Sequence, residues 1–277
     1  MAHRRTEGKM MATVTHREIV LALRELGLNR DSDVIAHTSL SAFGHVRGGA
    51  ESMLGALLTV CGTVVMPAFT YQTMVWPQAG PPNNACVYGN HAEENARAVM
   101  FTSDLPADRS MGRAVEVLRR RPGTLRSAHP VLSFAATGAH AQEILTAQTL
   151  ENPLGPLEWL HDHGGDVLLL GVDHRVNTAI HLAEKLAGRK QFIRWAVGVD
   201  RAFRLPGFPG CCNGFNAIAG KLAWITHQTT LGTATLQSLP LKGLVQVAMQ
   251  VIYADPFALL CDDPMCERCN VVRQSTV

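Results

Sequence analysis

In the segment NTAIHLAE, residues 177–184, an imidazole and a carboxylate stand three positions apart, as His181 and Glu184, shortly after the apolar run DVLLLGV. Residues three apart on a helix are surface neighbours. The carboxylate can accept one imidazole N–H, which fixes the tautomer and supports the ring once it is charged. The other ring nitrogen is then left to take a proton, so the pair is a candidate general base. A His–Glu pair at this spacing is more often a surface ion pair of little consequence. The surrounding residues must therefore decide between the two readings.

Three stretches share one design, in which a strand ends, a small polar or His-bearing turn follows and a helix can begin: IAHTSLSAFG, RSAHPVLSF and GVDHRVNTAIHLAE. In open α/β sheets ligands bind outside the carboxyl ends of strands, so the first and third turns are expected to converge. The hydroxyls of Thr38, Ser39 and Ser41, with the amides of the turn, suit a phosphate or pyrophosphate. By themselves, Ser and Thr in such positions are usually helix caps. The segment RSMGRA, residues 109–114, fits the R-x-x-G-x-A pattern by which the Gcn5-related acetyltransferase superfamily cradles coenzyme pyrophosphate. That pattern needs a strand feeding the loop. The preceding FTSDLPAD is loop-like, so Gly112 is expected inside an ordinary helix.

Among seven cysteines, Cys261, Cys266 and Cys269 form a C-x4-C-x2-C cluster, with Cys211 and Cys212 distant in the sequence. Zinc sites usually take four ligands. The expectation is free thiols and no metal.

The elements that must position these groups alternate. Thr15 and Glu18 have capping-box spacing before the helix that ends at Gly27. DVIAH, TVVMPAF, HPVLSFAATG and DVLLLGV read as strands, with helices expected at AESMLGALLTVCG, DRSMGRAVEVLRRR, AHAQEILTAQ, GPLEWLHDHGG and NTAIHLAEKLAG. QFIRWAVGV reads as a further strand, and the last third as a helix near FNAIAGKLAWI, a strand near TTLGTATLQSL and a helix from about Pro240. This order indicates a mixed α/β sheet covered by helices. Long loops are expected near 71–108 and 204–214. Residues 1–13 read as a disordered tail and 14–277 as one domain.

Composition sets limits on partners. Charged residues are 17% and apolar residues 47% of 277, with a net charge of +2. That balance gives no footprint for nucleic acid, and no apolar run is long enough for a membrane span. The start lacks the apolar middle of a secretory signal, so a cytoplasmic location is expected. The chain is expected to be a monomer or a homodimer.

Taken together, HTSLSAFGHVRGG, VVMPAFTY, RSAHPVLSFAATG, LLLGVDHRVNTAIHLAE and DPFALLCDDPMCERC resemble the aminoglycoside 3-N-acetyltransferase family, also called the antibiotic N-acetyltransferase family, from about Thr15 to Cys269. The resemblance implies a three-layer α/β/α fold with a central mixed sheet. It also implies acetyl transfer from acetyl-coenzyme A to the 3-amino group of a 2-deoxystreptamine antibiotic, by direct attack in a ternary complex. In this likeness His181 is the base and Glu184 its partner. His37, Thr38, Ser39, Leu40 and Ser41 lie along the coenzyme, with Thr70, Arg126, Ser127, His129 and Ser133 around it.

For a polycationic acceptor, the acidic candidates are Glu93, Glu94, Asp104, Asp108 and Asp173, with Tyr71 and Asn177 beside them. Gly155, and the pair Asp173 and His174, depart from the family's usual residues and bear on the choice of acceptor. Two rival readings are a transferase for another natural-product amine and a coenzyme-binding protein that has lost its chemistry.

Overall fold

The computed structural model describes residues 13–275. Its centre is a seven-stranded mixed sheet. From one edge the strands run His227–Leu231, Ala234–Pro240, Asp166–Leu170, Asp33–Thr38, Thr63–Pro67, Phe134–Gly138 and Leu125–Arg126. Asp33–Thr38 pairs in parallel with both Asp166–Leu170 and Thr63–Pro67, and the outer pairings are antiparallel.

Strand periodicity divides the core into two layers. Ile35, Val65, Ala136, Val167 and Leu169 pack on one face. Their alternates Val34, Ala36, Val64, Ala135, Leu168 and Leu170 pack on the other. Because successive side chains point to opposite faces, near-continuous apolar strands need cover on both sides. Helices His16–Glu25, Gly49–Val60 and Arg113–Arg120 cover one side. Ala141–Thr146, Gly155–Asp162, Ala179–Leu186 and Leu241–Ala254 cover the other. The three-layer expectation therefore holds. The expected capping box is present: Thr15 accepts from the Glu18 amide, and the Glu18 carboxylate accepts from the Thr15 amide at 2.8 Å.

Several expected boundaries change. Residues 1–12 lie outside the described residues, but Thr13, expected in the tail, pairs with His45 in a short parallel strand. TTLGTATLQSL is a hairpin of two strands turning at residues 232–233. The expected loop near 204–214 begins as the strand Phe203–Phe208, at the edge of a second antiparallel sheet with Phe192–Ala196 and Met74–Val75. An edge position and a register shift between Leu205 and Phe208 let Pro206 and Gly207 sit in a strand. The 71–108 segment is tied to this sheet. Buried Asn84 accepts from the Ile193 amide at 2.7 Å and donates to its carbonyl at 3.1 Å, copying a strand pairing with one side chain. No described helix is long and apolar enough to cross a membrane.

Candidate functional site

Two parallel strands end side by side at a cavity of about 640 Å³. The turn after Asp33–Thr38 supplies Thr38, Ser39, Leu40 and Ser41, and the segment after Asp166–Leu170 supplies Val172, Arg175, Asn177, Thr178 and His181. The Ser39 amide donates to the Leu170 carbonyl at 2.9 Å and locks the turns together. Gly171, at φ +68, permits this contact, since a Cβ there would meet Ala42 Cβ at 2.6 Å. Asn177 starts the next helix by accepting from the Ala179 amide at 3.1 Å, and its side-chain nitrogen faces His174 Nδ1 at 3.2 Å.

His181 and Glu184 form no surface pair. They are 6% and 2% exposed, and His181 Nδ1 lies 2.7 Å from Glu184 Oε2. The other carboxylate oxygen accepts from Arg189 Nη1 at 2.8 Å, and Arg189 Nη2 donates to the Pro256 and Ala258 carbonyls at 2.8 Å each. The result is a buried chain from guanidinium to carboxylate to imidazole, with the far edge of the ring at the cavity. Phe215 packs edge-on against the ring, centroids 4.7 Å apart.

Burial opposes a charged ring. The neighbouring Cys212 sulfur and the Glu184 carboxylate outweigh it and push the His181 pKa up to about 9. Two other buried histidines show the contrast. Burial alone brings His37 down to about 4, and it does the same to His129 despite an opposing backbone hydrogen bond. His37 borders the cavity, with Nε2 3.2 Å from Thr178 Oγ1. At neutral pH it can offer a neutral N–H but no charge.

The polar side chains of the RSAHPVLS motif make hydrogen bonds within the protein. Ser127 Oγ accepts from the Phe134 amide at 2.8 Å, and His129 Nδ1 accepts from the Leu132 amide at 2.9 Å. Ser133 donates to Ala68 O at 2.8 Å, and Thr70 donates to Pro130 O at 2.6 Å. Arg126 clamps the Ala68, Ser103 and Leu105 carbonyls, and burial lowers its pKa to about 10. These bonds are internal, His129 Nε2 is left buried without a hydrogen-bond partner, and Leu132 is the residue of the motif that lines the cavity. A strict run of polar residues can thus serve a turn.

The acidic residues are also redistributed. Tyr71 and Asn177 line the cavity as expected. Glu93 sits exposed on the short helix Ala92–Asn95, and the Asp104 carbonyl holds Arg119. Asp108 caps the turn Arg109–Met111, accepting from the Ser110 amide. Asp173 is paired with Arg175 at 2.8 Å. The carboxylates at an adjoining groove of about 730 Å³ are Glu94, one of the expected candidates, and Glu267, near Trp76 and His91. That groove shares Cys212 and Arg268 with the cavity.

On the opposite side the cavity continues through Leu40, Ser41, Gly112 and Arg113 into a groove of about 1100 Å³ that also holds Arg109, Arg120 and Arg121. Gly112 is not within a helix. At φ +85 it caps Arg113–Arg120 and lies against the Thr38 carbonyl, where a Cβ would come within 3.3 Å. RSMGRA therefore borders the site even though no strand feeds it. Arg189 was legible only as a cation five positions beyond Glu184, past the helix end, and nothing in its spacing indicates the clamp. Arg113 and Arg268 were hidden among other arginines.

Comparison with known proteins gives the family and the fold. A family model described as Aminoglycoside 3-N-acetyltransferase matches residues 35–253. Aminoglycoside N(3)-acetyltransferase IX of Micromonospora chalcea is 38% identical over 193 residues, covering 66% of this chain and 66% of its own. The match thus spans just under two-thirds of that relative. The fold is shared with the aminoglycoside acetyltransferase AAC(3)-IVa apoenzyme, at TM-score 0.78 and 24% identity over 96% of this chain and 99% of the other. It is shared also with AAC-IIIb in its binary complex with CoASH, at TM-score 0.73 and 22% identity over 88% and 97%.

Proposed function

The chain belongs to the aminoglycoside 3-N-acetyltransferase family, and from that premise we propose that it transfers an acetyl group from acetyl-coenzyme A to the 3-amino group of a 2-deoxystreptamine aminoglycoside, conferring resistance. The observation that carries the reading is the buried Arg189–Glu184–His181 chain ending at the cavity where two parallel strands stop.

In this proposal the coenzyme lies along residues 38–41. Its phosphates face the arginine groove of Arg109, Arg113, Arg120 and Arg121, where guanidinium–phosphate hydrogen bonds would hold them. The cationic acceptor approaches from the groove bearing Glu94 and Glu267. His181 Nε2 takes a proton from the acceptor ammonium, and the freed nitrogen attacks the thioester carbonyl directly. Glu184 supports the imidazolium, and Arg189 holds Glu184 in position through its hydrogen bond. Amides at the start of the Leu40–Phe43 turn, which the turn itself does not use, are the donors for the oxyanion. Collapse of the tetrahedral adduct expels coenzyme thiolate, which the His181 proton neutralises, and the attacking nitrogen gives up its second proton to water. No covalent enzyme intermediate forms.

The test is thiol release from acetyl-coenzyme A with a panel of aminoglycosides, followed by NMR location of the new amide. Release with gentamicin-like compounds and a 3-acetamido product supports the reading. Release only with other amines moves the acceptor class, and coenzyme binding without turnover removes the enzyme assignment.

A further inference from the structure

Cys211, from the loop after Phe203–Phe208, meets Cys261, Cys266 and Cys269, so that the four sulfurs all lie within 4.8 Å of one another. The expectation of isolated terminal thiols does not survive this juxtaposition. From it we infer that these cysteines form a tetrathiolate zinc site that clamps the loop at 209–214 to the C-terminal segment.

A tetrahedral zinc ion with bonds of about 2.3 Å spaces its sulfurs about 3.8 Å apart. The cluster matches that scale, with Cys261 Sγ and Cys269 Sγ 3.4 Å apart. All four cysteines are free. Cys261 and Cys269 are buried, and Cys211 and Cys266 are half-buried. Two backbone amides point at sulfur: Cys261 N–H to Cys269 Sγ and Asn213 N–H to Cys211 Sγ, each 3.4 Å. Hydrogen bonds of this kind to a ligand atom are the usual outer support of a metal site.

Charge points the same way. Four thiolates around Zn²⁺ carry a net −2, and two guanidiniums adjoin the cluster. Arg273 Nη2 donates to Cys261 O at 2.6 Å, and Arg268 Nη1 donates to Gly210 O at 3.1 Å. All-sulfur tetrahedral coordination suits zinc, with iron as the chief competitor.

The site lies outside the acyl-transfer chemistry, but it touches its frame. Arg268 sits between two ligands and lines the cavity, while Cys212 follows a third and lies against His181. A metal here fixes the wall between the cavity and the acidic groove.

Full-length protein purified under reducing conditions from zinc-containing medium is to be assayed by elemental analysis. About one zinc per chain is expected, released as an organomercurial titrates the cluster, with Cys211→Ser and Cys266→Ser weakening zinc retention at least about 100-fold. Cys86→Ser serves as the control and should retain the metal. If the serine variants fail to fold, Co²⁺ exchange into the unaltered chain must give the intense visible bands of tetrahedral cobalt thiolate. Metal-free folded protein with these thiols freely reactive, disulfides among them, iron in place of zinc, or absent cobalt bands would overturn the inference.

Discussion

Replacing Glu184 with glutamine separates two effects that the buried chain combines. In the unaltered protein His181 is held up at about 9. Against the ordinary value of about 6.5 this corresponds to about 3 kcal/mol in favour of the charged ring. His37 and His129, equally buried and without a carboxylate, lie at about 4. The E184Q ring loses the carboxylate but keeps the Cys212 sulfur, so it should fall below 9, and the alkaline rise in kcat/KM should move towards acid by about one to two pH units. At pH 7 only about one ring in a hundred is neutral before the change, and roughly a tenth to a half are neutral after it.

If the supply of neutral base alone governed the rate, E184Q would be faster at pH 7. The mechanism predicts the reverse, because the imidazolium formed in the transition state loses its counter-charge. A glutamine amide can also face Nδ1 as a donor, which leaves the proton on Nε2, the nitrogen needed as base. The expected loss is about 10²- to 10⁴-fold. The assay is thiol release from acetyl-coenzyme A with one aminoglycoside from pH 5.5 to 10, run in parallel for both proteins so that titration of the acceptor cancels. Urea unfolding is to confirm that E184Q is folded. A variant as fast as the original, with its alkaline limb unmoved, would refute the assignment of Glu184.

Other outcomes follow from the same geometry. Arg189→Met leaves the Glu184 charge buried without its guanidinium, so stability should fall by about 3–5 kcal/mol in denaturant titration and turnover should fall with it. Arg113→Ala or Arg121→Ala should raise KM for acetyl-coenzyme A about 10-fold with little change in kcat, and the difference should shrink at high salt. Arg126→Ala should lower stability by about 2 kcal/mol while leaving that KM unchanged, because its hydrogen bonds end on carbonyls inside the protein.

Stability should also depend on pH through the three buried histidines. His181 is raised on folding, so its contribution is full below about 6.5 and lost as pH rises through about 9. His37 and His129 are lowered, so theirs is present above about 6.5 and lost as pH falls towards 4, in each case on the order of 3 kcal/mol. Urea unfolding at pH 4.5, 6.5 and 9.5 should give its highest midpoint at the middle value.

Much of the architecture was readable because it is local. The Thr15–Glu18 capping box and the apolar runs ending at Thr38 and Leu170 are set by neighbouring residues, and the convergence of their turns follows from parallel pairing. The His181–Glu184 pair was legible for the same reason, since i,i+3 spacing on a helix fixes adjacency. What the spacing could not supply was depth and the more distant neighbours: Arg189 on the carboxylate, and the Cys212 sulfur that with Glu184 raises the ring against its burial.

Less legible is how polar side chains divide between a ligand and the backbone. Ser127, His129 and Ser133 have the right chemistry for a coenzyme and also bond the Phe134, Leu132 and Ala68 backbone. Gly112 was expected in a helix because R-x-x-G-x-A was tested for a strand before it, and the cap formed against Thr38 has no local signature. Cys211 lies 50 residues before Cys261 in the sequence, and only the packing of the edge strand Phe203–Phe208 brings the two together.

The most direct measurement compares His181→Ala with the unaltered protein in one set of preparations, taking acetyl-coenzyme A affinity by calorimetry and turnover with an aminoglycoside by thiol release. The proposed role predicts an unchanged coenzyme Kd and turnover reduced about 10²- to 10⁴-fold. Turnover close to the original value, with coenzyme still bound, would contradict it.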